Sequence, residues 1–525
     1  MKFAIRSTLC LTGIAALLSI SSPAMADDTS SAQIKELQTQ VKMLQQRLDA
    51  MANASAAGGG VGAAAPGHAV NPNAYAANAG EPNAANGQRT ADAPVPAAPA
   101  KTGSKMKLTF GGFIDTTGIY RTKNQSADTV SNFNTGIPFK NSINSREDEF
   151  RGSARSSRLS LLASGSPDAN TNLLAYIEAD FLGAAPTANS VETNSYTPRI
   201  RQGYMGYERK DLGYNIYAGQ MWGLSTLSKN GMSPRSEAVP TTIDIGTVAG
   251  FVYTRAPEVR LVKTFDENKL ALGISAASPQ LNVGGANLTG GGAVTVTNPG
   301  SASTFSGSPS FDQVPDLTAK LAFDPGFGHY EVFGLARWFR DVETATQSDN
   351  TAMGGGIGAG TVIPVIDKKL DFQGNVLAGR GVGRYGPALL PDVAVKPTLE
   401  LKPLDAVIAN VGLTVHPIPL WDAYLFGGYE RVSRYNTGNT AFGYGDSGLS
   451  NAGCYVIGGT CNAVTKSIAE VTVGAWHDMY KGDFGDLKIG AQNATLRRDT
   501  FEDAAGTNPH AYENITMVSL RYFPF

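Results

Sequence analysis

From Lys107 onward, segments of about ten residues alternate apolar and polar side chains, and Gly/Asn/Asp/Pro clusters separate them. In Leu108–Asp115 the apolar Leu108, Phe110 and Ile114 share one face, and Asp115 lies on the other. Arg158, Ser160 and Ser164 oppose Leu159, Leu161 and Ala163, while Tyr176, Glu178 and Asp180 oppose Ile177, Ala179 and Phe181. The period returns where Thr398, Glu400 and Lys402 oppose Leu399 and Leu401, and where Asp486, Lys488 and Gln492 oppose Leu487, Ile489 and Ala491. Successive side chains of a strand point to opposite faces, and here one face carries the charge. A soluble sandwich buries an apolar inner face, whereas a sheet that is apolar outside and wet inside matches a transmembrane barrel. The pattern predicts an all-β fold, a transmembrane antiparallel β-barrel over residues 106–525. At about 25 residues per strand and loop this length gives about 16 strands, within the even-numbered range of outer-membrane barrels. Barrels of about 16–18 strands leave an aqueous channel, so size alone points to a pore. The Gly/Ser/Thr-rich stretches 283–310 and 343–364 predict surface loops.

The chain ends Met517 to Phe525, and a terminal Phe on an amphipathic strand suits a barrel's last strand. Counting back in twos, Phe523 fits, but Ser519 and Arg521 put polar groups where apolar ones are usual. Val518, Leu520 and Tyr522 form the apolar face, so a register shift at Pro524 is expected.

Upstream the period changes. Ile34, Leu37, Val41, Leu44, Leu48 and Met51 alternate three and four apart between Gln, Lys, Glu and Arg, the seam of a coiled coil. A periplasmic coiled-coil oligomerisation helix is therefore expected over 27–52. Ile and Val at a with Leu at d favour a dimer in an isolated parallel coil. Residues 53–105 are mostly Ala, Gly, Pro and Asn and read as a flexible, disordered linker. The first 26 residues have Lys2 and Arg6, an apolar run from Leu9 to Ile20 and the small-x-small segment Ala24 to Ala26, the parts of a cleaved signal peptide.

Composition agrees without deciding. The chain has 60 Gly, 9% aromatic and 17% charged residues, and no apolar run after the signal approaches a membrane helix. Removing the signal takes the formal charge from −2 to −4, since two basic residues leave with it. Of three cysteines the mature chain keeps Cys454 and Cys461, which in an exported protein read as a disulfide across one loop.

Selectivity in a pore comes from charge at its narrowest point, where low-dielectric walls strengthen each group. Arg199 and Arg201 share a face opposite Ile200. An arginine at the midplane of the lipid face costs about 2–4 kcal/mol, so both are expected in the lumen with Arg158. Glu178 and Asp180 could pair with them, either as a wall network that stiffens the barrel or as part of an arginine ladder for anions. Gln220 lies on the strand Asn215–Gly223, and Arg260 ends the stretch Phe251–Arg260. Between them Leu224–Gly250 is long and patternless, which suits either an inward constriction loop or an extracellular cap. Arg235, Glu237, Asp244 and Arg255 are its expected charges. Catalytic signals are thin: five histidines lack ligand spacing, and neither a nucleophile elbow nor a P-loop is present.

The order of parts resembles the DcaP-like porins, and the resemblance is densest at Ser157–Leu161, Ala175–Gly183, Arg199–Tyr204 and Ala218–Trp222. It implies a trimer in the outer membrane with a periplasmic coiled coil ahead of a 16-stranded barrel. It also implies an inward loop after Trp222, and positively lined eyelets to which Arg158, Arg199 and Arg201 are the matching positions. The heptads alone leave dimer against trimer open. The expectation is a passive porin for small hydrophilic solutes, favouring organic anions such as dicarboxylates. It has outer-membrane lipid around it, no cofactor and no nucleic-acid partner. The alternatives are a sugar- or phosphate-preferring porin and a structural protein tethering the outer membrane to the wall.

Overall fold

A computed structural model describes residues 106–125, 127, 136–183, 197–244, 248–284, 294–296, 310 and 312–525. The signal, coiled-coil and linker expectations lie outside these residues. Sixteen strands form the wall. The first eight are β1 (Lys107–Arg121), β2 (Glu149–Ser153 continued as Arg158–Gly165), β3 (Thr171–Asp180), β4 (Arg199–Arg209), β5 (Tyr214–Trp222), β6 (Arg255–Phe265), β7 (Leu270–Ala277) and β8 (Asp316–Phe323). The remainder are β9 (His329–Glu343), β10 (Asp349–Ile366), β11 (Leu370–Arg380), β12 (Asp405–Val415), β13 (Trp421–Val432), β14 (Thr465–Gly482), β15 (Gly485–Thr500) and β16 (His510–Phe523). Each pairs antiparallel with the next, and β1 closes on β16 from Ile114 against Tyr522 to Arg121 against Ile515. Closure leaves no open edge, so every strand satisfies its backbone inside lipid. Tight connections such as Phe265 to Leu270 and Gly482 to Gly485 share one end with Lys107 and Phe523; the long connections, and the short turn from Glu343 to Asp349, lie at the other.

Alternation along the strands sorts the side chains as the sequence pattern requires. On β16 Val518, Leu520 and Tyr522 are exposed, while Met517, Ser519, Arg521 and Phe523 are buried. The shift at Pro524 is present: Phe523 points in, and the Phe525 ring lies outside, 6.4 Å from that of Phe110. Two expectations are corrected. Most of 343–364 is not a loop, because β10 runs through it. Its inward glycines make room for neighbouring rings: a Cβ on Gly358 would sit 2.1 Å from the Phe333 ring. Leu399 to Lys402 is not wall either. Leu401–Pro403 pairs with Val393–Val395 in a separate three-stranded sheet, and the leucines pack with Val393 and Phe339 instead of facing lipid.

The apolar core lies within the barrel. Inward side chains of β13–β16, among them Phe426, Ile468, Leu496 and Ile515, pack on Ile243, Val248, Ala388 and Leu390, which come from two connections. The first connection, between β5 and β6 and described over 223–244 and 248–254, crosses the lumen. Its Thr241 carbonyl accepts from the Trp476 indole on β14 (3.0 Å), and its Ile243 N–H donates to Gln492 on β15 (2.6 Å). Those strands stand opposite β5 and β6 in the barrel order. The second, residues 381–404, enters between β11 and β12. It is tied to the wall by the buried Arg337, which pairs with Asp316 (3.1 Å) and with Asp392 of the segment itself (2.9 Å).

Candidate functional site

The inner wall of β1–β6 carries most of the charged positions singled out in the sequence. On β4 the ladder to β3 slips between Glu178 and Ala179. This bulge turns the consecutive Arg201 and Gln202 both inward, while Ile200 stays on the outer face. Arg201 donates to Glu178 (2.8 Å) and to Asp180 (3.2 Å), and Arg199 grips Asp180 through two contacts (2.8 and 2.9 Å). Gln202 donates to Glu178 at 3.3 Å. Arg158 approaches Glu178 at 3.7 Å and stacks over the Phe113 ring. Arg255, the first residue of β6 rather than part of the loop, lies over the Trp222 ring and donates to the Arg201 carbonyl at 3.5 Å. Three arginines thus meet two carboxylates with a fourth, Arg255, beside them, and the balance of these six residues is positive. Buried charges are tolerated only when paired and hydrogen-bonded, which Glu178 and Asp180 are. Of the four, Arg199 and Arg255 are part exposed, whereas Arg158 and Arg201 are buried.

The other predicted positions separate into two groups. Arg235 and Glu237 lie on the crossing segment, with the Arg235 guanidinium over the Tyr176 ring at 5.5 Å and the Arg235 backbone N–H donating to the Glu237 carboxylate at 3.3 Å. Burial pushes the Glu237 carboxyl above its ordinary range, and burial likewise raises the phenol of Tyr253. Asp244 sits buried at the far wall, its N–H on Gln492 at 3.4 Å. Arg260 is an anchor: it pairs with Glu258 (2.6 Å) and donates to the carbonyls of Met232 (3.0 Å) and Trp222 (2.5 Å). Gln220 is a correction. It stands opposite Gly203 and Pro257, in the outward register, and its amide binds the Ile200 and Arg201 carbonyls at the bulge (3.1 and 2.9 Å).

Several inward groups were not singled out. Arg521 faces Asp115 at 3.5 Å and lies between the rings of Phe113 and Trp476. The alternation did place Asp115 and Arg521 off the apolar face; what it lacked was their meeting across the β1–β16 closure. Lys320 pairs with Glu331 (2.7 Å) and donates to the Thr226 carbonyl (2.7 Å), fixing the base of the crossing segment. Cys454 and Cys461 are disulfide-bonded. Among the described residues no group of acids, histidines and cysteines is arranged to hold a metal.

No family model matches the sequence, and no curated protein matches it. Solved structures do match. The outer membrane channel DcaP of Acinetobacter baumannii aligns with a TM-score of 0.58 at 18% identity, over 81% of this chain and 98% of that one. An anion-selective porin from Comamonas acidovorans aligns at 0.42 and 10% identity, over 80% and 99%. The trimer form of OmpT from Vibrio cholerae gives 0.42 and 10%, over 80% and 100%. The barrel therefore has the fold of the DcaP outer-membrane channel.

Proposed function

We propose that this chain is an outer-membrane porin that passes small hydrophilic solutes passively and prefers organic anions, dicarboxylates among them. The observation that carries the preference is the group Arg158, Arg199, Arg201 and Arg255 about Glu178 and Asp180, on the inner wall beneath a segment that narrows the lumen. Inside low-dielectric walls such a positive balance raises the local concentration of anions. The fold shared with the DcaP channel supports the pore and the outer-membrane setting. The heptads Ile34–Met51 support self-association, and the resemblance of the whole layout supports a homotrimer.

Single-channel recording with the purified full chain under a salt gradient tests this reading. Discrete conductance steps with a reversal potential of anion sign are expected. A silent bilayer would sink the pore, and a cation-selective reversal potential would sink the anion preference alone.

A further inference from the structure

The far wall meets the crossing segment with acids. Glu430 on β13 is fully buried, and one carboxylate oxygen accepts the Gly250 N–H at 2.8 Å and the Ala388 N–H at 3.1 Å. Glu470 on β14 accepts the Ala249 N–H at 2.8 Å and the Thr472 hydroxyl at 2.6 Å. Asn375 on β11 donates to the Gly250 carbonyl at 2.9 Å, so both backbone groups of Gly250 are held. The fit leaves no room for a side chain. Gly250 has φ +84, and a Cβ there would lie 1.9 Å from the Ala409 carbonyl oxygen; one on Gly428 would lie 1.5 Å from that of Ala249.

A glutamate side-chain oxygen is a strong enough acceptor to hold buried backbone N–H groups that would otherwise go unpaired. Glu430 uses that strength on two segments at once, since Gly250 belongs to the β5–β6 connection and Ala388 to the β11–β12 connection. Just beyond the pinned tip, the Tyr253 N–H reaches the Tyr385 carbonyl at 2.9 Å, tying the same two connections again. Arg255 follows, at the edge of the arginine group.

We propose that Glu430 and Glu470 are positioning residues of the constriction. They hold the tip Ala249–Gly250 against the far wall, Glu430 locks the two inward connections together, and the lock sets where Arg255 stands beside Arg199 and Arg201. The selectivity readout of this proposal rests on the porin reading above; the loop readout does not.

The test compares wild type, Glu430→Ala, Glu430→Gln and Glu470→Ala as full chains in planar bilayers. Glu430→Ala is expected to raise conductance about twofold, increase open-channel noise and move the reversal potential toward zero, because the narrowing wall becomes mobile. Glu430→Gln keeps an acceptor oxygen in place and is expected to restore all three; Glu470→Ala is expected to show a smaller change of the same sign. Wild-type conductance, noise and reversal potential in Glu430→Ala would overturn the proposal, as would Gln behaving like Ala. If Glu430→Ala does not fold, Glu470→Ala decides: unchanged noise overturns it. If wild type itself is silent, the porin reading fails, and amide exchange of 248–254 in Glu430→Ala decides the lock, with wild-type protection counting against it.

Discussion

At the scale of single residues, position within the arginine group sets the expected effect of each substitution. Arg199→Ala and Arg255→Ala each lower the local positive surplus while leaving Glu178 paired with Arg201. Both are expected to reduce anion preference, read as a smaller reversal potential under a salt gradient, with the barrel still folded. Arg201→Ala is a different experiment. It strips Glu178 and Asp180 of a buried partner, and breaking a buried pair from one side typically costs about 3–5 kcal/mol. Its main effect is expected in the unfolding midpoint measured by heat-modifiable mobility, with any selectivity change secondary. A midpoint unchanged by Arg201→Ala would mean that water has free access to the two carboxylates.

At the scale of elements, glycine content misleads and packing decides. The run from Gly354 to Gly360 on β10 looks like a loop, yet Phe333, Phe339 and Leu377 fill the space its missing side chains leave. Gly358→Val is therefore expected to destabilise the barrel by about 1–3 kcal/mol through overpacking, seen as a lower unfolding midpoint. The disulfide belongs to this scale too. Its loop meets the β1–β2 connection through Asn141, whose N–H reaches the Cys454 carbonyl (3.0 Å), whose carbonyl accepts from Gly458 (2.9 Å) and whose amide reaches the Gly459 carbonyl (2.9 Å). Replacing both cysteines with serine frees a short closed loop, worth about 2.5 kcal/mol in the chain-entropy account. Faster amide exchange across 136–145 is the expected sign; unchanged protection would show that the loop holds its shape without the bond.

At the scale of the whole molecule, the wall and the interior answer to different demands. Lipid requires a closed ladder and an apolar outside, and sixteen strands supply both. The interior is packed by loops: Ile243, Val248, Ala388 and Leu390 lie in one apolar cluster with β13–β16, and the charged wall lies on β1–β6. Removing residues 27–52 is expected to weaken assembly while the barrel still forms and conducts. Mass measurement of the purified protein checks this, and an unaltered oligomer would show that the barrel interfaces suffice alone.

Much of this protein was legible from the sequence because a strand's period of two and a barrel's two solvents leave a one-dimensional record. That record gave the all-β wall, its strand number, the inward face of Arg158, Glu178, Asp180, Arg199 and Arg201, and the shift at Pro524. Three features carry no such record. The bulge that turns both Arg201 and Gln202 inward is a slip between two ladders, and it appears only when β3 and β4 are paired. The outward register of Gln220 follows from the pairing of β5 with β4 and β6, which sets it against Gly203 and Pro257. The seat of Gly250 joins residues far apart in the chain, Glu430, Asn375 and Ala409, on the opposite side of the barrel. Sequence spacing fixes which face a side chain takes within its own strand. Which faces meet across the lumen depends on closure and on loop packing, and only the tertiary structure decides those.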